Sequence, residues 1–438
     1  MQYYGTLGPS CGDEKILENM FRAGMTGIRL NLSHGDLDKS SHWLELLREA
    51  AMKAGIKGAP QILIDLQGPE LRLGRNGITC ELESGETVQL VSMGAAGQVR
   101  VECIQQKSIQ QACAEAAGQM QEEFTQQACA EAAEQMQEEP TQRACDGAAG
   151  QVRGKTTQTD LEKEAESEHR EAAKLCIPVP DMLLYHVEAE DRILVDDGKI
   201  ELLVKKVSGG TATAAATGVA APATAPPPAV LPVSVSAVVV RPGTLKPGKS
   251  LAVIGKELPM PTLTDSDRKN IGMAAEYGVT GVMLPFVRNR EDLLTLRSAL
   301  QAAGAEKVEI FAKIENMQGV HAIDELLPWC DQIVIARGDL GNAMPLWKLP
   351  GIQKRLAASC RAKKKPFMVV TQMLDSMHER AVPTRAEVLD IYNAVLDGAA
   401  SVMLTGETAA GRYPVEAMEY LVRTGEEAVK DRACEADR

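Results

Sequence analysis

Aromatic side chains are scarce, 3% of 438 residues, so the core must be filled mainly by aliphatic groups. An excess of positive charge is also missing. The formal charge is -13, which argues against a nucleic-acid binder, since such proteins show a basic face. No apolar run approaches the roughly 18 residues that span a bilayer, so no membrane partner is expected. The opening "MQYYGTLGPS" lacks a basic-then-apolar signal pattern, and a cytoplasmic enzyme is the expectation. None of the ten cysteines forms a C-x-x-C pair, which leaves a zinc or redox motif unsupported. Four of them (Cys103, Cys113, Cys129, Cys145) fall in one unusual segment, and the others sit singly among apolar residues, where a reduced, packed thiol is usual.

What is present is ordinary in bulk: 45% hydrophobic and 24% charged residues, on a length suited to a large barrel or two to three domains. Eight apolar strand candidates occur, "YYGTL", "GIRLNL", "QILIDL", "GVMLPF", "VEIFAKI", "QIVIARG", "PFMVVTQ" and "SVMLTG". Amphipathic stretches follow nearly all of them: "DEKILENMFRAG", "SSHWLELLREAAMKAG", "REDLLTLRSALQAAG", "VHAIDELLP", "IQKRLAASCRAK", "RAEVLDIYNAVLDG" and "VEAMEYLVRTGEEAV". Continuous apolar strands alternating with helices mean a parallel sheet covered by helices, and eight units suggest an α/β (β/α)8 TIM barrel.

The third unit is interrupted. After "LIDLQGPELRLG" come alternating pieces, "ITCELESGETVQLVS" and "RILVDDGKIELLVKKV", with an Asp-Gly hairpin signal between the two halves of the latter. The expected organisation is a barrel over residues 1–74 and 258–432 with a β-rich lid domain over 75–92 and 177–257. Residues 93–176 form a low-complexity insertion. Three copies of a 16-residue unit, beginning "IQQACAEAAGQMQEEF", lie within 109–156 of it. Ala, Gln, Glu and Met favour helix, but at about 100° per residue a 16-residue period turns the apolar stripe by roughly 160° per copy. One straight helix would not keep its cysteines on one side, so a duplicated polar insertion is favoured over a metal array. Residues 211–232, rich in Ala, Thr and Pro, read as a flexible segment.

Residues at the carboxyl ends of barrel strands face the active site. Those ends offer Arg29, Asn31 and Ser33, then Asp65, Glu70 and Arg72, then Lys313 and Glu315, Asp339, Thr371 and Glu407. One charged strand end is unremarkable, but six polar or charged ends make a site. Lys313 and Glu315 are two apart and share a face in a strand. Glu315 and Asp339 are hard oxygen ligands suited to Mg²⁺. Arg29, Arg72 and Lys313 supply positive charge for phosphate or an enolate. Asn31, Ser33 and Asp65 offer oxygens for a monovalent-cation cage. The residues by themselves indicate metal-assisted chemistry on a phosphorylated or carboxylated small molecule.

The segments "TLGPS", "AGMTGIRLNLSHGD", "ILIDLQGPELRLG", "AKIENMQGV", "IARGDLG", "VTQMLDSM" and "PTRAEVLDIYNAVLDGAASVMLTGETAAGRYPVEA" resemble the pyruvate kinase family in order and spacing. The resemblance implies a barrel with an inserted lid and phosphoryl transfer from phosphoenolpyruvate to ADP, giving pyruvate and ATP. It implies that Lys313 neutralises the transferring phosphoryl group and the enolate, and that Glu315 and Asp339 hold Mg²⁺ or Mn²⁺. Arg29 and Arg72 would contact phosphates, and the amides of Gly338 and Asp339, with Thr371, the substrate carboxylate. Asn31, Ser33, Asp65 and the Leu66 carbonyl would hold K⁺. Asn31 and His34 would border the nucleotide, with Arg72 and Lys249 at its phosphates. A homo-oligomer through the barrel is expected, and the family's C-terminal effector domain is expected to be missing.

The chain departs from the family's pattern in places. "DLQGPE" replaces the frequent Asp-Thr-Lys-Gly-Pro-Glu, so Leu66 still offers a carbonyl while Gln67 loses a cation. Pro285 stands where serine is usual, and Ala343 where glutamate is. Two other readings compete: a Mg²⁺-dependent aldolase or lyase on the same barrel, and a binding paralogue using the repeats. "GETAAGRYP" and the inserted β-rich segment count against the first; Arg29, Lys313, Glu315, Asp339 and Thr371 count against the second.

Overall fold

A computed structural model describes residues 1–74, 79–93, 175–196, 198–208, 234–256 and 258–436. The 16-residue repeats and the Ala/Thr/Pro-rich segment lie outside the described residues. The chain divides into two compact units, one of residues 1–71, 194–198 and 250–438, the other of 72–193 and 199–249.

The first unit is a closed barrel of eight parallel strands: β1 (Gln2–Thr6), β2 (Gly27–Asn31), β3 (Gln61–Asp65), β4 (Gly281–Leu284), β5 (Glu309–Ile314), β6 (Gln332–Ala336), β7 (Phe367–Val370) and β8 (Ser401–Met403). Neighbours follow chain order, and β1 closes the ring against β8, with Tyr3 opposite Val402. Successive residues of a strand enter different cores. In β4, Met283 joins the cluster of Tyr4, Leu63, Phe311, Val334, Met368 and Met403, while Val282 and Leu284 join the larger cluster that includes helix residues such as Leu293 and Leu296. Burial on both faces is why the strands read as continuous apolar runs. Gly281 makes room for one of the few aromatics, since a Cβ there would lie 2.5 Å from Phe311 Cε2.

The covering helices are α1 (Glu14–Arg22), α2 (Ser41–Lys53), α3 (Asp265–Met273), α4 (Arg290–Ala302), α5 (Met317–His321), α6 (Ile323–Leu326), α7 (Arg337–Asn342), α8 (Leu349–Ala362), α9 (Arg385–Leu396), α10 (Gly406–Ala409) and α11 (Pro414–Ala436). Their starts are chemically marked. Asp13 accepts from the Lys15 and Ile16 amides at 2.9 and 3.1 Å, satisfying donors that the first turn leaves unpaired. Thr384 and Glu387 form a capping box on α9, and Thr264 and Asp267 form one on α3. The single amphipathic stretch "VHAIDELLP" is broken, with α5 ending at His321 and α6 beginning at Ile323. Among the described residues no helix is long and apolar enough to cross a membrane.

In the second unit, Thr87–Ser92 pairs antiparallel with Ser234–Arg241, which pairs antiparallel with Ile200–Ser208. Leu175–Val179 runs parallel to Thr87–Ser92, and Gly243–Leu245 pairs with Cys80–Leu82. Val88 and Leu90, Leu175, Ile177 and Val179, and Val235, Ala237 and Val239 are buried on alternate positions, the period of a sheet with one covered face.

Candidate active site

A chain of alternating charge occupies the carboxyl ends of β2, β3 and β5. Arg29 donates from Nε and Nη2 to Asp65 Oδ2 at 2.8 and 2.6 Å. Lys313 Nζ lies 3.2 and 3.1 Å from Asp65 Oδ1 and Oδ2, and 2.9 Å from Glu315 Oε1. The strand period therefore does put Lys313 and Glu315 on one face. Asp65 and Glu315 are buried, at 2% and 3% exposure, so neither pair is screened as a surface bridge would be. Burial by itself would raise the Asp65 carboxyl. The Lys313 and Arg29 charges outweigh it and hold that carboxyl below its usual range. Burial would likewise lower the Lys313 ammonium, but the Asp65 and Glu315 carboxylates reverse this and keep it firmly protonated.

Glu315 has a second task. Its Oε2 accepts from the amide of Phe286 at 2.8 Å, and Phe286 has φ 53°, unusual for a residue with a side chain. Thr371 and Gln372 at the end of β7 are also left-handed, with φ 75° and 53°. For a β-branched residue such a conformation costs on the order of 1–3 kcal/mol and persists only where surroundings impose it. Here they do. Arg337 donates from Nε and Nη2 to the Thr371 carbonyl at 3.1 and 2.6 Å, and Glu407 Oε1 accepts from the Leu374 amide at 3.1 Å. The Thr371 side chain faces Gly338, where a Cβ would lie 3.1 Å from Thr371 Cγ2, so glycine keeps the approach between the two open.

Two cavities flank these residues. One, of about 360 Å³, is lined by Glu70, Phe286, Glu315, Asn316, Asp339 and Ala343 among others. The other, of about 780 Å³, has Thr6, Pro9, Arg29, Asn31, Trp43 and Thr371 in its walls. The charge chain thus begins at a wall of one cavity and ends at a wall of the other. Asn31 Oδ1 accepts from the Ser33 amide at 3.1 Å, and the Leu66 amide donates to the Met283 carbonyl at 3.2 Å. Asp65, expected in a monovalent-cation cage, spends both oxygens on Arg29 and Lys313.

The donor set suits a magnesium ion. Glu315 and Asp339 face one cavity, each carboxylate oxygen has two acceptor directions, and Mg²⁺ is usually held by one or two carboxylates with water and substrate completing its shell. A cage of three or more His, Cys, Asp or Glu side chains does not occur among the described residues.

Arg72 and Lys249 belong to the second unit. There Arg72 Nη1 donates to the Gly248 carbonyl at 2.9 Å and the Leu73 amide to the Lys249 carbonyl at 2.8 Å, which brings these two residues together. The side chain of His34 lies outside what the structure describes. Glu407 is a brace for backbone: its Oε2 also accepts from the Thr405 amide at 2.7 Å, and the residue is 1% exposed. Sequence reasoning missed Arg337 and Asp267. Asp267 is fully buried and accepts from the amides of Gln67 at 2.9 Å and Gly68 at 3.2 Å, fixing the loop that follows β3. The Thr264-x-x-Asp267 spacing was its one signal; Arg337 had only its place at a strand end.

Comparison with known proteins agrees with this geometry. The family model described as "Pyruvate kinase, barrel domain" matches residues 2–113 and 231–418. The chain is 31% identical to the pyruvate kinase of Geobacillus stearothermophilus over 416 residues, 95% of this chain and 54% of that protein. It is 30% identical to that of Aeropyrum pernix over 98% of this chain and 70% of that protein. For Methylorubrum extorquens the figures are 31%, 97% and 68%. The chain therefore spans from about half to about two thirds of the length of these relatives. With the barrel, the charged strand ends and the greater part of the sequence all matching one family model, the chain belongs to the pyruvate kinase family.

Proposed function

We propose that this chain transfers the phosphoryl group of phosphoenolpyruvate to ADP, giving pyruvate and ATP. The observation that carries the reading is Lys313, a part-buried ammonium between buried Asp65 and Glu315, on a charge chain that links the walls of two cavities. Phosphoryl transfer needs little covalent help from protein groups. Positioning and a fixed positive charge where negative charge develops supply most of the rate.

In this reading Lys313 and Arg29 attract the phosphoryl oxygens and release part of their hold on Asp65 as they do so. Thr371, with the backbone amides of Gly338 and Asp339, receives the substrate carboxylate and lies close to the carbon that is protonated when the enolate becomes pyruvate. Asn31 and His34 border the nucleotide, while Arg72 and Lys249 carry positive charge for its phosphates. Glu315 and Asp339 would hold Mg²⁺ or Mn²⁺, which supplies charge neutralisation at the phosphoryl and carboxylate oxygens when bound. Asn31, Ser33, Asp65 and the Leu66 carbonyl would hold K⁺. Self-association through the barrel and a cytoplasmic setting belong to the same proposal, as does the division into a barrel domain of 1–74 and 258–432 and a β-rich domain of 75–92 and 177–257.

A coupled assay with phosphoenolpyruvate, ADP, Mg²⁺ and K⁺ tests the reading. Lys313→Met should lower turnover by about 10²–10³ or more, the usual loss when such a fixed charge is removed. Wild-type protein that is folded yet makes no pyruvate would refute the assignment.

A further inference from the structure

Arg337 touches neither the wall of the cavity holding Glu315 and Asp339 nor that of the cavity holding Arg29 and Thr371. It is nevertheless heavily engaged beside them. Its side chain is 11% exposed. Nε is shared between the carbonyls of Val370 and Thr371 at 3.3 and 3.1 Å, and Nη2 reaches the same Thr371 carbonyl at 2.6 Å and Met373 Sδ at 2.9 Å. Nη1 donates to Asp390 Oδ2 at 2.5 Å. All three guanidinium nitrogens are therefore used, two on the backbone where the chain turns left-handed and one on α9.

That turn presents Thr371. Its φ of 75° is one that a threonine does not adopt unaided, and the next residue, Gln372, is left-handed as well. Arg337 directly precedes Gly338, where an added Cβ would lie 3.1 Å from Thr371 Cγ2. One residue thus ties the first turn of α7 to the end of β7 and sets where the Thr371 side chain stands. A lysine could not do this, because a single ammonium has no planar fork to span two carbonyls and a carboxylate.

We propose that Arg337 is a positioning residue for the phosphoryl-transfer site, holding Thr371 in its left-handed conformation, with Asp390 on α9 as the far anchor. The inference rests on the reading of Thr371 as a substrate-carboxylate ligand. Its signature is non-additivity, since a group that acts only through Thr371 has nothing left to act on once that side chain is cut back.

The test is a double-mutant cycle on the full chain, read in kcat, in KM for each substrate, and in calorimetric affinity for phosphoenolpyruvate with Mg²⁺ and no ADP. Misplacing a ligand by about 1 Å can cost about 10² in rate, so Arg337→Met should lower kcat by about 30-fold or more while KM for ADP stays within about threefold. Arg337→Lys should recover no more than about a tenth of the lost rate. In a Thr371→Ala background, Arg337→Met should change kcat and phosphoenolpyruvate affinity by less than about threefold. Should Arg337→Met fail to fold by melting curve, Asp390→Ala gives the same cycle with the guanidinium retained, with a loss of about threefold to tenfold alone and none on Thr371→Ala. Losses that multiply in either cycle overturn the proposal. Wild-type protein that binds phosphoenolpyruvate without turnover would refute the phosphotransferase reading alone, with the cycle then decided on affinity. Wild-type protein that does neither would overturn both.

Discussion

Asp65 is the residue whose removal should be felt most widely, because Arg29 and Lys313 both depend on it. Asp65→Asn leaves two part-buried cations short of their buried counter-ion, and breaking a buried pair commonly costs about 3–5 kcal/mol. The pH dependence follows from the sign of the shift. The folded carboxyl is held below its unfolded value of about 3.9, so its contribution is complete above that value and is lost as pH falls through the folded one. Lys313 is raised, so its contribution is complete below about 10.4 and is lost only as pH rises through the folded value. Urea melts of Asp65→Asn should therefore show lower stability at pH 7 and a shallower loss between about pH 5 and 2 than wild type. A parallel acid slope would place the acid sensitivity elsewhere. Glu70 adds a second carboxylate-based expectation. It lines the cavity with Glu315 and Asp339, so an anionic substrate there meets crowded negative charge that a monovalent cation would offset. Rates in potassium should exceed those in tetramethylammonium at equal ionic strength, and Glu70→Lys should narrow the gap. Equal rates in the two salts would remove the cation from the scheme.

Among the elements, the loop after β3 shows how one buried group supports another's chemistry. Asp267 closes the capping box of α3 and accepts from Gln67 and Gly68, so the Leu66–Gly68 backbone is held from below. Asp267→Ala should cost about 1–3 kcal/mol by leaving buried amides unpartnered, and should raise the potassium concentration for half-maximal rate. A thermal scan and a potassium titration on the same sample separate the effects; a destabilised protein with unchanged potassium response would confine Asp267 to stability. All eight barrel strands were legible, because burial on both faces makes each a continuous apolar run. The long helices α1, α2, α4, α8, α9 and α11 were legible from their periodic stripes. Helix α3 was not, since "DSDRKNIGM" buries Asp267 and Asn270 as well as Ile271 and has no apolar stripe. Helices α7 and α10 begin within three residues of a strand's end and are too short to show a period. Of the site, the charged strand ends were readable by alternation. The bonds of Arg337 and Glu407 to backbone were not, because carbonyls and amides carry no letter in a sequence.

The whole molecule leaves apolar side chains uncovered on the barrel unit. Trp347 is 81% exposed and Leu346 67%, values unusual for such groups in a chain with three tryptophans. If the barrel self-associates there, Trp347→Glu should shift the sedimentation profile toward monomer, and a profile unchanged by the substitution would exclude that face. The closing seam of the barrel has a further consequence. Tyr3 and Val402 are paired across it, and the Thr6 amide donates to Thr408 Oγ1 at 2.8 Å over a separation of 402 residues. A ribosome delivers the first of these partners long before the last. Until then β1 has a neighbour on one side only and presents an open edge while the residues between the two are synthesised. Joining ends so far apart adds little to the equilibrium cost, which grows only with the logarithm of the loop, but it delays the event. The barrel therefore closes only once β8 has been made, and until then the nascent β1 stays open to pairing with strands of other chains.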